Sequence, residues 1–200
     1  MASDPFLRAF TATGGHEGGY VDDPADRGGE TFRGIARAFH PDWPGWVEID
    51  RRKAAGEPIP AGILEDETRA FYRSEFWDRF NGDDVAAVCE WVALELYDTG
   101  VNCGVSTAEA FLQRALNAMN RGGQDWPDLE VDGDVGPATI KALSRCLARR
   151  GHTGLMVALN GLQFMRYLEI VERNPSQERF FVGWLQRVEL RLGAGDAPAP

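Results

Sequence analysis

Apolar residues recur at helical spacing over most of the chain, and that pattern is the first guide to the fold. Phe6, Leu7 and Phe10 share one side of a predicted helix over Pro5 to Thr13, with Gly14-Gly15 just beyond it. The period returns from Leu64 to Phe80 through Leu64, Thr68, Phe71, Tyr72, Phe76 and Phe80. Asp83 or Asp84 stands where it can cap a further helix running to about Asn102, and Thr107 to Met119 reads as another. Asp125 to Gly136 is predicted as a loop. Pro137 then opens a helix at its first-turn position, and two more follow over roughly Leu155 to Glu172 and Ser176 to Leu192.

Between the first two helical stretches the pattern breaks. Residues 14–34 (GGHEGGYVDDPADRGGETFRG) hold seven glycines and Pro24, too many for a helix interior, and predict turns with a small hairpin. Ile35 to Phe39 reads as a short helix stopped by Pro41, and Asp42 to Gly62 as a stretch broken by prolines and glycines. No strand pattern follows residue 40. The expectation is a mainly α protein with a small β-hairpin near the N-terminus and a closely packed C-terminal helical lobe. The division expected is 1–100, 101–192 and a flexible tail over 193–200, GAGDAPAP.

Charge and composition narrow the function. The 200 residues carry 21 Lys plus Arg against 31 Asp plus Glu, a formal charge of −10, with 44% hydrophobic residues. That balance argues against nucleic acid as the main partner and against loose attachment to anionic lipid. No run of 18 apolar residues is present, so no membrane insertion is expected. The start, MASDPFLRAF, lacks a basic n-region, which predicts synthesis in the cytoplasm without a signal peptide. Cys89, Cys103 and Cys146 form no C-x-x-C pair and read as small buried hydrophobes, and the histidines form no cluster, so no metal site is expected.

The glycine-rich stretch is where chemistry concentrates. It lacks the G-K-[ST] of a phosphate loop, and neither it nor VDGDVG at 131–136 has the spacing of a calcium loop. What remains is Glu17 after the first helix, Asp26 nine residues later and Thr31 five after that, a spacing that lets a hairpin carry Asp26 and Thr31 across a cleft from Glu17. Two carboxyl groups so placed suit glycosidic cleavage, one protonated as general acid and the other ionised to place water or stabilise positive charge. The same acids also suit a solvated turn that caps neighbouring amides.

His16-Glu17-Gly18-Gly19-Tyr20, Asp23-Pro24, Asp26, Gly28-Gly29-Glu30-Thr31 and Gly34-Ile35 resemble the signature of glycoside hydrolase family 108, muramidases that cut peptidoglycan. The sequence departs from that pattern at Arg27 and at Phe32-Arg33. The order Glu, Asp, Thr also resembles phage-type lysozymes. Downstream, Phe71-Tyr72 and Phe76-Trp77 resemble the aromatic helix that follows in the family. DTGVNCG at 98–104 and FLQRAL at 111–116 resemble its junction with a predicted peptidoglycan-binding domain, whose pattern Asp132-Gly133, Gly136-Pro137, Thr139 and Gly183-Trp184-Leu185 continue. The resemblance implies a lysozyme-like helical fold, a catalytic lobe followed by a wall-binding lobe, and no cofactor.

It also implies roles. Glu17 would be the general acid, Asp26 the second carboxylate with Glu30 as its rival, and Thr31 the assistant. The bond cut would be β-1,4 between N-acetylmuramic acid and N-acetylglucosamine. A water-sized gap between Glu17 and Asp26 would give inversion, a distance that spacing leaves open. A lytic transglycosylase and a non-catalytic wall-binding or assembly protein are the alternatives. The partner would be peptidoglycan glycan strands, met by a monomer released through a holin or a dedicated exporter, acting in the periplasm or cell wall.

Further candidates come from pattern. Glu95, Asp98 and Asn102 fall within roughly 60° of arc on one helix, a stripe that suits the wall of a sugar cleft, a buried polar network or a solvated edge. Trp43 and Trp46, in the broken stretch, suit either sugar stacking or packing, and Tyr20 either shapes the sugar site or packs under the hairpin. With a charge of −10, affinity for an anionic wall would come from shaped contacts and depend weakly on salt.

Overall fold

The computed structural model describes residues 4–14, 18–22 and 28–192, the side chains of 189–192 excepted. The fold is mainly α, with one small antiparallel sheet before residue 40. Contacts divide the chain into two compact units, Met1–Arg79 and Phe80–Pro200.

In the N-terminal unit, α1 (Pro5–Thr13) starts where the Asp4 carboxylate accepts a bond from Phe6 N at 2.9 Å, and ends at Gly14 with φ 65°. Phe6, Ala9, Phe10 and Thr13 are its buried positions, spaced i, i+3, i+4 and i+7. Phe6 packs edge-on to Trp77 and Phe10 to Tyr72, with centroids 5.9 and 5.5 Å apart. Strands β1 (Tyr20–Asp22), β2 (Glu30–Phe32) and β3 (Ile35–Ala36) follow, all antiparallel in that order.

Two expectations for this unit change. Ile35 to Phe39 is not a helix: Ile35 pairs with Phe32 across a two-residue turn, and both are fully buried. That turn puts Arg33 and Gly34 at φ 48° and 81°, the positive values tight hairpin turns need. The sequence marks only one of the two positions with glycine. Asp42 to Gly62 is not simply broken either, because it contains α2 (Gly45–Ala55). Pro44 precedes this helix and Gly56 closes it at φ 66°, so its breakers bracket the element. Gly45 is needed there, since a Cβ would stand 2.2 Å from the Trp43 ring.

The period from Leu64 holds, but its pitch changes. After α3 (Glu65–Tyr72) come a π-helical turn, Arg73–Trp77, and a 3-10 turn, Asp78–Phe80. Thr68, Tyr72, Trp77 and Phe80 are the buried positions, at successive steps of four, five and three residues. Those steps are the α, π and 3-10 repeats in turn.

The C-terminal unit is helical among its described residues. The single helix expected up to Asn102 is two, α4 (Gly82–Val88) and α5 (Glu90–Cys103), parted by an extended Cys89 that no Gly or Pro announces. Then come α6 (Val105–Met119), α7 (Pro137–Arg150), α8 (Thr153–Arg173), a 3-10 turn at Pro175–Gln177 and α9 (Glu178–Leu192). Cys146 is buried as expected, while Cys89 and Cys103 are half-buried, and burial pushes the Cys103 thiol up to about 11.

The long connection between α6 and α7 is held to α6 by a row of polar side chains. Glu109 accepts from Val135 N at 3.1 Å. Gln113 donates to Asp132 Oδ1 and the Asp134 carbonyl, at 2.6 and 2.9 Å, and accepts from Gly133 N at 3.0 Å. Asn117 exchanges two bonds with the Leu129 backbone, both 2.8 Å. Asn120 accepts from Gly123 N at 3.0 Å and donates to Asp128 at 2.6 Å. The steps of four, four and three keep this row on one side of α6. The hydrogen bonds to Asp132 from Gln113 and from Asp134 N hold its carboxyl below the usual range. VDGDVG is thus a structural turn, with Val135 fully buried.

Candidate active site

Glu17 and Asp26 lie outside the described residues. The frame that flanks them is described. Gly18 and Gly19 run beside the β2–β3 turn: the Gly19 carbonyl accepts from Arg33 N at 3.3 Å, and a Cβ on Gly18 would stand 3.7 Å from Arg33 Cα. Asp22 and Glu30 are register partners.

Strand parity sorts the candidates on this sheet. Tyr20, Asp22, Glu30 and Phe32 point to one side, because Tyr20 pairs with Phe32 and Asp22 with Glu30. Thr31 pairs with Val21 and points to the other side, where Val21 is half exposed. Thr31 Oγ1 donates to the Gly29 carbonyl at 3.2 Å. Glu30 and Thr31 therefore serve opposite faces.

Glu30 is fully engaged. Its Oε1 accepts from the Tyr20 hydroxyl at 2.5 Å and from Lys53 Nζ, and its Oε2 from Arg37 Nη1 at 2.7 Å. Arg37 also forks onto Asp50 at 2.7 and 2.6 Å and lies over the Trp46 ring, while Lys53 reaches Asp22 at 3.7 Å. Burial alone would raise the Glu30 carboxyl, but hydrogen bonds from Lys53, Tyr20 and Arg37 outweigh it and hold it at about 2. Burial and the hydrogen bond to Glu30 push the Tyr20 hydroxyl up. Tyr20 thus belongs to a clasp that ties the hairpin to α2. Sequence reasoning missed Arg37, Asp50 and Lys53 in this role. The signal was present in Trp46, Ile49 and Lys53 at i, i+3 and i+7, had α2 been recognised.

Trp43 and Trp46 are 6% and 2% exposed. Their indole N–H groups donate to the Glu67 and His40 carbonyls, at 3.3 and 2.7 Å, and Trp43 stacks on Phe32. Both sit in the core of the N-terminal unit, beneath the sheet. The tight turn at Arg33 is braced by Tyr72, whose hydroxyl donates to the Arg33 carbonyl at 2.9 Å, and by Glu65, 2.6 Å from the guanidinium.

The stripe on α5 lies within the C-terminal unit. Glu95 and Asp98 are each 1% exposed. Asp98 accepts from Gln163 of α8 at 2.9 Å and stands 3.6 Å from Arg187 of α9. Thr99 donates to Glu95 at 3.4 Å, and Asn102 to the Asp98 carbonyl at 2.7 Å. The stripe is a buried polar network linking three helices.

Comparison with known proteins adds to this frame. Residues 10–104 match the model of the family glycosyl hydrolase 108, and residues 107–189 that of a predicted peptidoglycan domain. The two matches meet at the α5–α6 junction, whereas the compact units divide at 79/80. No curated protein matches the chain. The solved structure of Brucella abortus SagA resembles it at a TM-score of 0.60 and 20% identity, covering 97% of this chain and 98% of that one, a likeness of fold.

Proposed function

From a chain that belongs over residues 10–104 to glycosyl hydrolase family 108 and carries a predicted peptidoglycan domain after it, and so is a peptidoglycan-acting hydrolase, we propose a finer activity. The bond cut is β-1,4, between N-acetylmuramic acid and N-acetylglucosamine. Glu17 is the general acid, giving its proton to the leaving oxygen. Asp26 is the second carboxylate, placing the attacking water or stabilising the oxocarbenium-like transition state, with Thr31 assisting from the open side of β2.

The observation that carries the choice of Asp26 over Glu30 is the engagement of both Glu30 oxygens by three donors. Three of the roughly four lone-pair positions of that carboxylate are taken by Tyr20, Lys53 and Arg37, so it is held in the hairpin clasp rather than free to place a water. Glu30 therefore positions the hairpin and performs no chemistry. Tyr20, Trp43 and Trp46 support the site from beneath the sheet, and Glu95, Asp98 and Asn102 belong to the polar network inside the C-terminal unit. The site of action is the wall, reached after release through a holin or an exporter.

The test is digestion of purified sacculi. New reducing ends on N-acetylmuramic acid are expected. Glu17→Gln should remove at least about a hundredfold of the rate at unchanged circular dichroism, the scale of a lost general acid. Asp26→Asn should fall comparably, and Glu30→Gln by less than about tenfold. Full activity in Glu17→Gln would sink the assignment. Products with 1,6-anhydro ends would make the protein a lytic transglycosylase, and retention on sacculi with no release would make it a binding protein.

A further inference from the structure

The C-terminal unit carries a groove of about 570 Å³ where α4 packs on α7, lined by Asp84 from the first and by Pro137, Ile140, Lys141, Ser144 and Arg145 from the second. Its volume lies in the range of small-ligand sites.

Two cations face this groove. Lys141 and Arg145 are one helical turn apart and both exposed, and among the described residues neither is ion-paired. Further along the same helix, Arg149 and Arg150 both engage Asp125, the former at 3.0 Å. Lys53, the other lysine of the chain, is bound to Glu30. In a protein of charge −10, two adjacent free cations facing one groove complement a ligand that brings its own carboxylates.

The glycan of peptidoglycan is rich in hydroxyl and acetamido groups, and its stem peptides carry free carboxylates, methyl side chains and amide N–H groups. We propose that this groove binds the stem peptide, with a carboxylate between Lys141 and Arg145, alanyl methyls on Pro137 and Ile140, and N–H groups toward Asp84 and Ser144. The proposal rests on the peptidoglycan reading of the chain. It gives the C-terminal unit recognition of the peptide, separate from glycan cleavage.

The experiment is calorimetric titration of the full chain with the soluble tripeptide L-Ala-γ-D-Glu-meso-diaminopimelate, beside the same tripeptide with its carboxylates amidated. Binding of the free-acid tripeptide is expected, weakened at least about tenfold by Lys141→Gln with Arg145→Gln and equally by amidation. The double variant should release reducing ends from peptide-stripped glycan within about twofold of the wild-type rate, which also shows that it is folded. No binding of the free-acid tripeptide, or equal affinity for the amidated one, overturns the proposal. So does undiminished binding by the double variant. If wild-type protein releases no reducing ends from stripped glycan while the tripeptide arm behaves as expected, the muramidase reading has failed and the groove assignment stands.

Discussion

The β1–β2 hairpin of the N-terminal unit and the connection between α6 and α7 are both tied to a helix by side chains, and the ties differ in kind. Glu30, Arg37, Asp50 and Lys53 hold the hairpin with formal charges at the edge of solvent, where Lys53 and Asp50 are 40% and 50% exposed. Three of the four residues that hold the second segment are neutral amides, and Gln113 and Asn120 are 2% and 1% exposed. Charge pairs in solvent are weakened by salt and by acid, whereas the amide bonds to backbone groups respond to neither, only those to Asp128 and Asp132 having a titratable acceptor, but they leave costly orphans when one partner is lost. The segment nearest the proposed chemistry thus has the adjustable tie, and the segment that leads into α7 has the fixed one.

The amide side of the contrast is broken most directly at Gln113. Gln113→Leu removes two donated bonds and one accepted bond, and leaves Gly133 N without its acceptor, while the Asp134 carbonyl keeps only Gly136 N. A loss of about 2–4 kcal/mol in unfolding free energy is expected, measured by urea denaturation of the whole chain. The amide protons of Leu129, Gly133 and Val135, which donate to side chains of α6, should exchange faster in the same variant. A loss under about 0.5 kcal/mol would mean that the connection is held by its apolar contacts.

The charged side is sharpened by acid. The Glu30 carboxyl sits at about 2 in the folded chain against 4.5 for the free group, so the unfolded chain binds the extra proton between those values. The stability Glu30 contributes is therefore complete above about pH 4.5 and is lost as pH falls through about 2. Glu48, Asp50, Glu65 and Asp125 are lowered too and act in the same sense, so total acid sensitivity does not isolate Glu30. The difference between wild type and Glu30→Gln does. A gap of about 1 kcal/mol near neutrality should close as pH falls toward 2. A gap independent of pH would assign Glu30 a packing role.

Much of the fold could be read from apolar spacing. The helices at Pro5–Thr13, Val105–Met119, Pro137–Arg150 and Thr153–Arg173 follow from i, i+3, i+4 patterns and from a first-turn proline. The errors have local causes. Arg33 adopts the positive φ of a hairpin turn without being Gly or Asn, because Tyr72 and Glu65, far along the chain, hold it there. The helix at Gly45–Ala55 hid between its own breakers, and with it Lys53 and Asp50 were lost from the site. Cys89 breaks a helix with no residue that signals a break. Glu30, the rival of Asp26, and Thr31, its assistant, face opposite ways because neighbours on a strand do, which position in the motif does not reveal. The stripe of Glu95 and Asp98 was visible as a stripe, but periodicity carries no information on what faces it, and Gln163 and Arg187 are 65 residues or more away in sequence.

Salt gives the smallest and most selective test. Raising ionic strength from about 0.05 to 1 M shrinks the screening length to about 3 Å, which weakens exposed pairs such as Arg37 with Asp50 and Lys53 with Asp22. Exposed pairs contribute about 0–1 kcal/mol, so local opening of the hairpin should become more frequent by no more than about fivefold. The reporters are the Arg37 and Arg33 amides, which donate to the Glu30 and Gly19 carbonyls at 2.8 and 3.3 Å. Over the same range the Leu129 and Gly133 amides should change by less than about twofold, since their acceptors are uncharged. Hydrogen exchange followed residue by residue separates the two responses in one sample. Equal acceleration in both segments would mean that salt acts on the whole chain, and the distinction between an adjustable and a fixed tie would be lost.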